Sequence, residues 1–162
     1  MKVLIVSKTH MSSAACVGGI ASNMQFVRLL NANGYNQDSD TSFNVGDIWE
    51  IDFSDRPNKR APHVEDVLIS SKRFVGAKRS DMSMLTAVEK FNVPIWRGSP
   101  DVLFDGLLNW TQGGSGYISV DGRIPAHSVG FWIPDRNLSK RISFDKTRYN
   151  YPSQNGWRSL PF

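Results

Sequence analysis

Two stretches of this sequence hold residue types that could do chemistry: a short run of imidazole and carboxylates, and a long late stretch that interleaves cations with aromatic rings. The first is His63-Val64-Glu65-Asp66. An imidazole beside a carboxylate is the material of general acid–base work. On a strand, successive side chains leave opposite faces, so His63 and Glu65 share one face and Asp66 takes the other. Diverging carboxylates cannot close on one metal ion. The run reads as a polar girdle at a sheet rim, with Glu65 orienting His63 or pairing with Lys8 or Arg28. Cys16 with His10 or His63 could form a nucleophile and base, but a single cysteine beside Val17 on an apolar strand reads as a small core residue. His10, His63 and His127 lack the paired spacing of a zinc site. No catalytic residue, metal or cofactor is therefore assigned. Thr111-Gln112-Gly113-Gly114-Ser115-Gly116 is glycine-rich, as phosphate cradles are, but a strand follows where such a cradle needs a helix N-terminus. It reads as a hairpin loop.

In the second stretch, Phe131, Trp132, Phe144, Tyr149, Tyr151 and Trp157 lie among Arg136, Lys140, Arg141, Lys146, Arg148 and Arg158. Single-strand binders combine a basic groove with aromatic platforms, each stacked base contributing about 1–3 kcal/mol. Phe131 and Phe144 read as core; Trp132, Tyr149 and Trp157 stand beside cations or polar residues and read as platforms. The charge distribution agrees. The chain carries 19 basic and 15 acidic side chains, a net charge of +4. Residues 1–50 hold three cations against four acids, whereas residues 136–162 hold six against one. Such asymmetry suits a polyanionic partner. Lys72, Arg73, Lys78 and Arg79 surround Phe74 and would extend the basic surface. The leading expectation is a non-catalytic module binding single-stranded or structured RNA or DNA. Two alternatives stand beside it: a nucleotide or small-ligand sensor at a polar rim of Lys8, Arg28, His63 and Glu65, and a protein-interaction adaptor in a multi-component bacterial system.

The elements that would position these residues are mostly strands. Lys2–Lys8, Cys16–Ala21 and Phe26–Leu30 form a meander of short apolar runs, which must curl into a sandwich or small barrel to bury a face. Residues 31–43 are a polar loop. Val45 to Phe53 alternates, with Val45, Asp47, Trp49, Ile51 and Phe53 on one face, and Gly46 marks a bend at its start. Ser54–Pro62 is a basic loop, and Val64–Ile69 would complete five strands. Ser80–Phe91 reads as a helix capped by Ser80, with Met82, Leu85, Val88 and Phe91 in one stripe that would plug a barrel. Val93–Gly98 is the boundary, giving regions 1–92 and 93–162 packed as one compact unit. Ser99-Pro100-Asp101 looks like a helix start; whether Val102–Trp110 continues as helix or strand stays open. Tyr117–Val120 before Asp121-Gly122 signals a hairpin, and Val129–Ile133 and Arg141–Tyr149 supply further strands. At 162 residues the chain is one ordinary domain or two small ones. A lone cysteine and an N-terminal apolar run of only four residues make the cytoplasm the expected compartment, with no membrane association.

Several short motifs carry a resemblance. They are the first strand ending in Lys8-Thr9, Cys16-x-Gly18-Gly19, Arg28-Leu29-Leu30, Val45-Gly46-Asp47-Ile48-Trp49-Glu50, Pro62-His63-Val64-Glu65-Asp66-Val67 and Ser159-Leu160-Pro161-Phe162. With these, nearly the whole chain resembles prokaryotic proteins described as containing a dual OB domain. The resemblance implies two OB barrels and nucleic-acid binding and supplies no catalytic residues. The expected fold is thus mostly β with minor α: two small OB-like β-barrels, with one clear helix after the first.

Overall fold

The computed structural model describes residues 1–11, 13–78, 81, 83–91, 93–119, 121–143, 146–154 and 156–161, with the backbone alone for Ser143, Lys146 and Pro161. The chain is mostly β and forms two compact units, Met1–Val93 and Pro94–Phe162.

In the first unit, β1 (Lys2–Met11), β2 (Ala14–Ala21) and β3 (Phe26–Leu30) form the expected meander. A two-residue strand, β4 (Gln37–Asp38), adds to β2 at Ala14 and Ala15. β5 (Asp47–Asp55) and β6 (Asp66–Ala77) are a long antiparallel pair. β5 also pairs with β1, and β6 runs parallel to β3, so the five long strands close into a ring. This five-stranded Greek-key barrel is an OB-type architecture. The apolar side chains at alternate positions fill it: Val3, Ile5, Val17, Val27, Leu29, Phe43, Trp49, Ile51 and Val67 are all buried. Each such burial contributes about 1.5–3 kcal/mol. Phe43 and Trp49 meet edge-to-face, with ring centroids 4.9 Å apart. β1 presses so closely on β2 that a Cβ at Gly18 would collide with Ser7 Oγ and the Phe26 ring, and one at Gly19 with Val3. Gly46, immediately before β5, makes the bend with a φ of 96°.

Two expectations for this unit change. β6 extends through Ala77 and so takes the cationic run 72–77 into the barrel wall. The helix, α1 (Met84–Glu89), is short: Ser83, not Ser80, is its cap, because Ser83 Oγ accepts a hydrogen bond from the Thr86 amide at 3.0 Å. It buries Ala87 and Val88 while Leu85 is exposed, so the expected stripe is not its buried face. Ser80 and Met82 lie outside the described residues.

The second unit is built from smaller sheets. β7 (Ile95–Gly98) runs parallel to β10 (Phe131–Pro134), with Trp96 opposite Trp132. Between them, Pro100–Val102 forms a 3-10 turn, and Phe104 and Asp105 both take positive φ. This turn is held by indole hydrogen bonds, Trp110 Nε1 to Asp101 Oδ1 at 2.9 Å and Trp96 Nε1 to Asp105 Oδ1 at 3.4 Å. The glycine-rich loop is a hairpin loop as read: it joins β8 (Asn109–Trp110) to β9 (Gly116–Tyr117). Among the described residues no hairpin forms at Asp121-Gly122, since β9 ends at Tyr117 and its partner precedes it; Val120 of the expected strand lies outside the described residues. The stretch Arg141–Tyr149 is not one strand. It doubles back as β11 (Ser139–Ser143) and β12 (Lys146–Ser153), and β13 (Gly156–Pro161) completes an antiparallel sheet. Ser159 N donates to Gly114 O at 2.9 Å and docks the hairpin loop on β13. Among the described residues, the pairings of this unit do not close into a ring.

Candidate nucleic-acid interface

Residues directly opposite each other in an antiparallel sheet share a face. The register of β11–β13 therefore sorts the late cations and rings into two sets. Arg141 stands opposite Arg148, Ser139 opposite Asn150 and then Ser159, and Pro152 opposite Trp157. The other face holds Lys140, Tyr149 and Leu160 in one row, Ile142 with Thr147, and Tyr151 with Arg158.

The second set is packed at its Tyr151–Arg158 end, while Ile142, 66% exposed, and Lys140 are exposed at the other. Tyr151 is 4% exposed, and its ring lies 5.9 Å from that of Trp132. Its hydroxyl donates to Asp135 Oδ1 at 2.7 Å, which raises the phenol above its ordinary pKa. The Arg136 guanidinium lies 5.9 Å from the Tyr151 ring centroid and donates to Pro152 O at 3.3 Å. Arg158 sits over the Trp110 ring at 5.0 Å. These two cations are engaged in holding the unit together.

The first set faces outward. Trp157 is 57% exposed, Arg141 is exposed and Arg148 half-buried, and neither arginine has a carboxylate partner among the described residues. Of the three expected platforms, only Trp157 joins these cations. Tyr149 is half-buried on the opposite face, and Trp132 donates Nε1 to Gly98 O at 3.0 Å from a different strand. Lys140 is exposed on the Tyr149 face. Lys146 occupies the first position of β12, and its side chain lies outside the described residues.

The earlier cationic run belongs to the first unit and is differently employed. Lys72 Nζ lies 4.4 Å from the Phe43 ring centroid and 5.8 Å from that of Trp49, covering one end of the aromatic core. Arg73 pairs with Glu50 across the β5–β6 ladder. Lys78 is half-buried, its amide bonded to Gly46 O. Arg79 lies outside the described residues.

The residues of the alternative polar rim also separate. Lys8 stands opposite Val17 and Arg28 opposite Gly18, so their side chains leave opposite faces. Lys8 Nζ donates to Thr41 O at 2.9 Å. Arg28 clasps Asp66 with two hydrogen bonds of 2.5 and 2.8 Å, and Arg56 adds a third at 2.8 Å. Burial would raise the Asp66 pKa, but these guanidinium bonds outweigh it and hold the carboxyl below its ordinary range. Glu65 is buried, and its carbonyl accepts from the Arg28 amide at 2.9 Å. His63 lines a cavity with Arg56, Lys59, Arg60 and Asp66. Cys16 lies beside Arg28; burial pushes its thiol up, away from the thiolate a nucleophile needs.

The model described as the dual OB-containing domain matches residues 1–162. The chain belongs to this family. No curated protein and no solved structure matches it. For a dual OB chain, nucleic-acid binding is compatible with the fold, since OB barrels commonly take oligonucleotides. No helix among the described residues of this dual OB protein is long and apolar enough to cross a membrane, and no three metal-ligating side chains cluster there.

Proposed function

We propose that this dual OB protein binds nucleic acid, contacting the strand through the outward face of β11–β13. The observation that carries the reading is the pairing of Arg141 with Arg148 on the face that exposes Trp157. Like charges directly opposite each other in a sheet oppose folding by a fraction of a kcal/mol. A phosphate chain removes that repulsion, and an exposed indole gives a base a surface to stack on. Backbone phosphates and a single stacking platform make contacts that every sequence offers, so the expected binding is sequence-tolerant.

The test is fluorescence anisotropy of a labelled thymidine octamer and a mixed-sequence octamer against the full chain. Trp157→Ala lowers affinity for both by about tenfold, as loss of one stacking platform should. Equal affinity of the variant and the parent for both octamers removes this reading.

A further inference from the structure

We infer that the loop between β5 and β6 forms a second site, a pocket for a phosphate monoester. The loop, residues 56–65, contains Arg56, Lys59, Arg60 and His63 against one acid, the buried Glu65. With Asp66 these four line an open cavity of about 360 Å³, near the small end of the range for ligand pockets. Its lining is cationic rather than apolar, so it suits a compact anion.

The loop is ordered before any ligand arrives. Pro57 and Pro62 restrict it, Asn58 takes a positive φ of 55°, and the His63 amide donates to Arg60 O at 2.9 Å. The Arg56 amide donates to Asp66 O at 3.2 Å, pinning the loop to the start of β6. Preorganisation of this kind lowers the ordering cost of binding.

The charge balance selects the anion. Asp66 is fully buried and shared by Arg28 and Arg56, so one carboxylate meets two guanidiniums. Arg56 commits only Nη1 to that carboxylate, and a guanidinium has five N–H donors. Lys59 pairs with Asp55, whose side chain is 84% exposed; such surface pairs are weak and readily exchanged. Arg60 is exposed at the rim. Arg28, Arg56, Lys59 and Arg60 stand against Asp66, Asp55 and the buried Glu65 near Arg28, a surplus of one positive charge before His63 is counted, and a net positive site draws a dianion more strongly than a monoanion. A phosphate monoester carries about −1.5 to −2 at neutral pH, whereas an internal phosphodiester carries about one negative charge. The pocket therefore prefers a terminal phosphate, whether on a free nucleotide or at the end of a strand. This inference does not depend on the β11–β13 reading, because none of its residues lies in that sheet.

The experiment uses the full chain in a phosphate-free buffer. Its probes are inorganic phosphate, adenosine 5′-monophosphate, adenosine, and labelled thymidine octamers with a 5′-phosphate, a 3′-phosphate or neither. The expected result is thermal stabilisation by the monophosphate but not by adenosine, or at least tenfold tighter binding of one phosphorylated octamer than of the unmodified one. Competition by the monophosphate assigns the pocket to free nucleotides; its failure to compete assigns it to strand ends. Arg60→Ala and Lys59→Ala, neither of which touches Asp66, should abolish the phosphate preference, and Arg60→Lys should retain part of it. Arg148→Ala should leave it intact. Indifference to the phosphate in every assay, or a preference that survives Arg60→Ala with Lys59→Ala, overturns the inference.

Discussion

Asp66 shows how one side chain can organise the barrel end from which the basic loop springs. It is fully buried, yet it accepts three guanidinium hydrogen bonds from Arg28 and Arg56. Replacing Asp66 by Ala strands the Arg28 guanidinium in a largely desolvated position, and loss of one partner of a buried pair costs about 3–5 kcal/mol. Urea denaturation should show a loss at the lower end of that range, since Arg28 retains some contact with water. The pH dependence has a definite sign. The carboxyl is held below its ordinary value, so its contribution is complete above the ordinary carboxylate pKa and is lost as pH falls through the lower folded value. Stability of the parent should therefore decline below about pH 4, and Asp66→Asn should flatten that decline. Gly114 is the corresponding point in the second unit. It has φ of 79°, and a Cβ there would collide with the Trp157 carbonyl. Gly114→Ala should lower the melting temperature, with about 1–2 kcal/mol from the left-handed backbone alone.

At the scale of elements, alternation was the reliable guide. Val45 to Phe53 announced β5 because Trp49 and Ile51 are spaced for one buried face, and both are buried. The glycine-rich loop was legible as a hairpin because no helix-forming residues follow it. The β11–β12 reversal was not legible, since the alternating stretch from Arg141 to Tyr149 contains no Gly, Pro or Asn before Asn150. Asp121-Gly122 misled in the opposite way: a turn dipeptide makes a hairpin only where both flanks have strands to pair. Period-two reading does not apply to His63 and Glu65, which lie in the turn before β6, so His63 and Asp66 line one cavity rather than leaving opposite faces, and it could not supply Arg28, a partner of Asp66 38 residues away. The basic loop 56–60 was visible only as a loop, because the cavity it lines depends on that distant pairing. Along β12, Arg148 and Asn150 face away from Tyr149 and Tyr151 by spacing alone. Arg148→Ala removes one member of a like-charge pair, so it should leave denaturant stability within about 0.5 kcal/mol of the parent or raise it slightly. A larger loss would mean that Arg148 serves the packing of the sheet.

For the whole molecule, a net charge of +4 is too small to make the chain indiscriminately sticky, and charge placement has to do the selecting. The stretch from 139 to 161 contains five cations and one acid, and β12 joins its neighbours so that Arg141 and Arg148 meet on the exposed side. Binding by such a surface is an exchange of counterions for protein cations, which makes salt dependence its signature. The decisive measurement is the slope of log affinity against log salt for a thymidine octamer lacking terminal phosphates, with the parent and with Arg141→Ala combined with Arg148→Ala. The account predicts a negative slope for the parent that becomes shallower by about 1.4 in the double variant, roughly 0.7 for each phosphate contact removed from a single strand. Parallel slopes with unchanged affinity would contradict it.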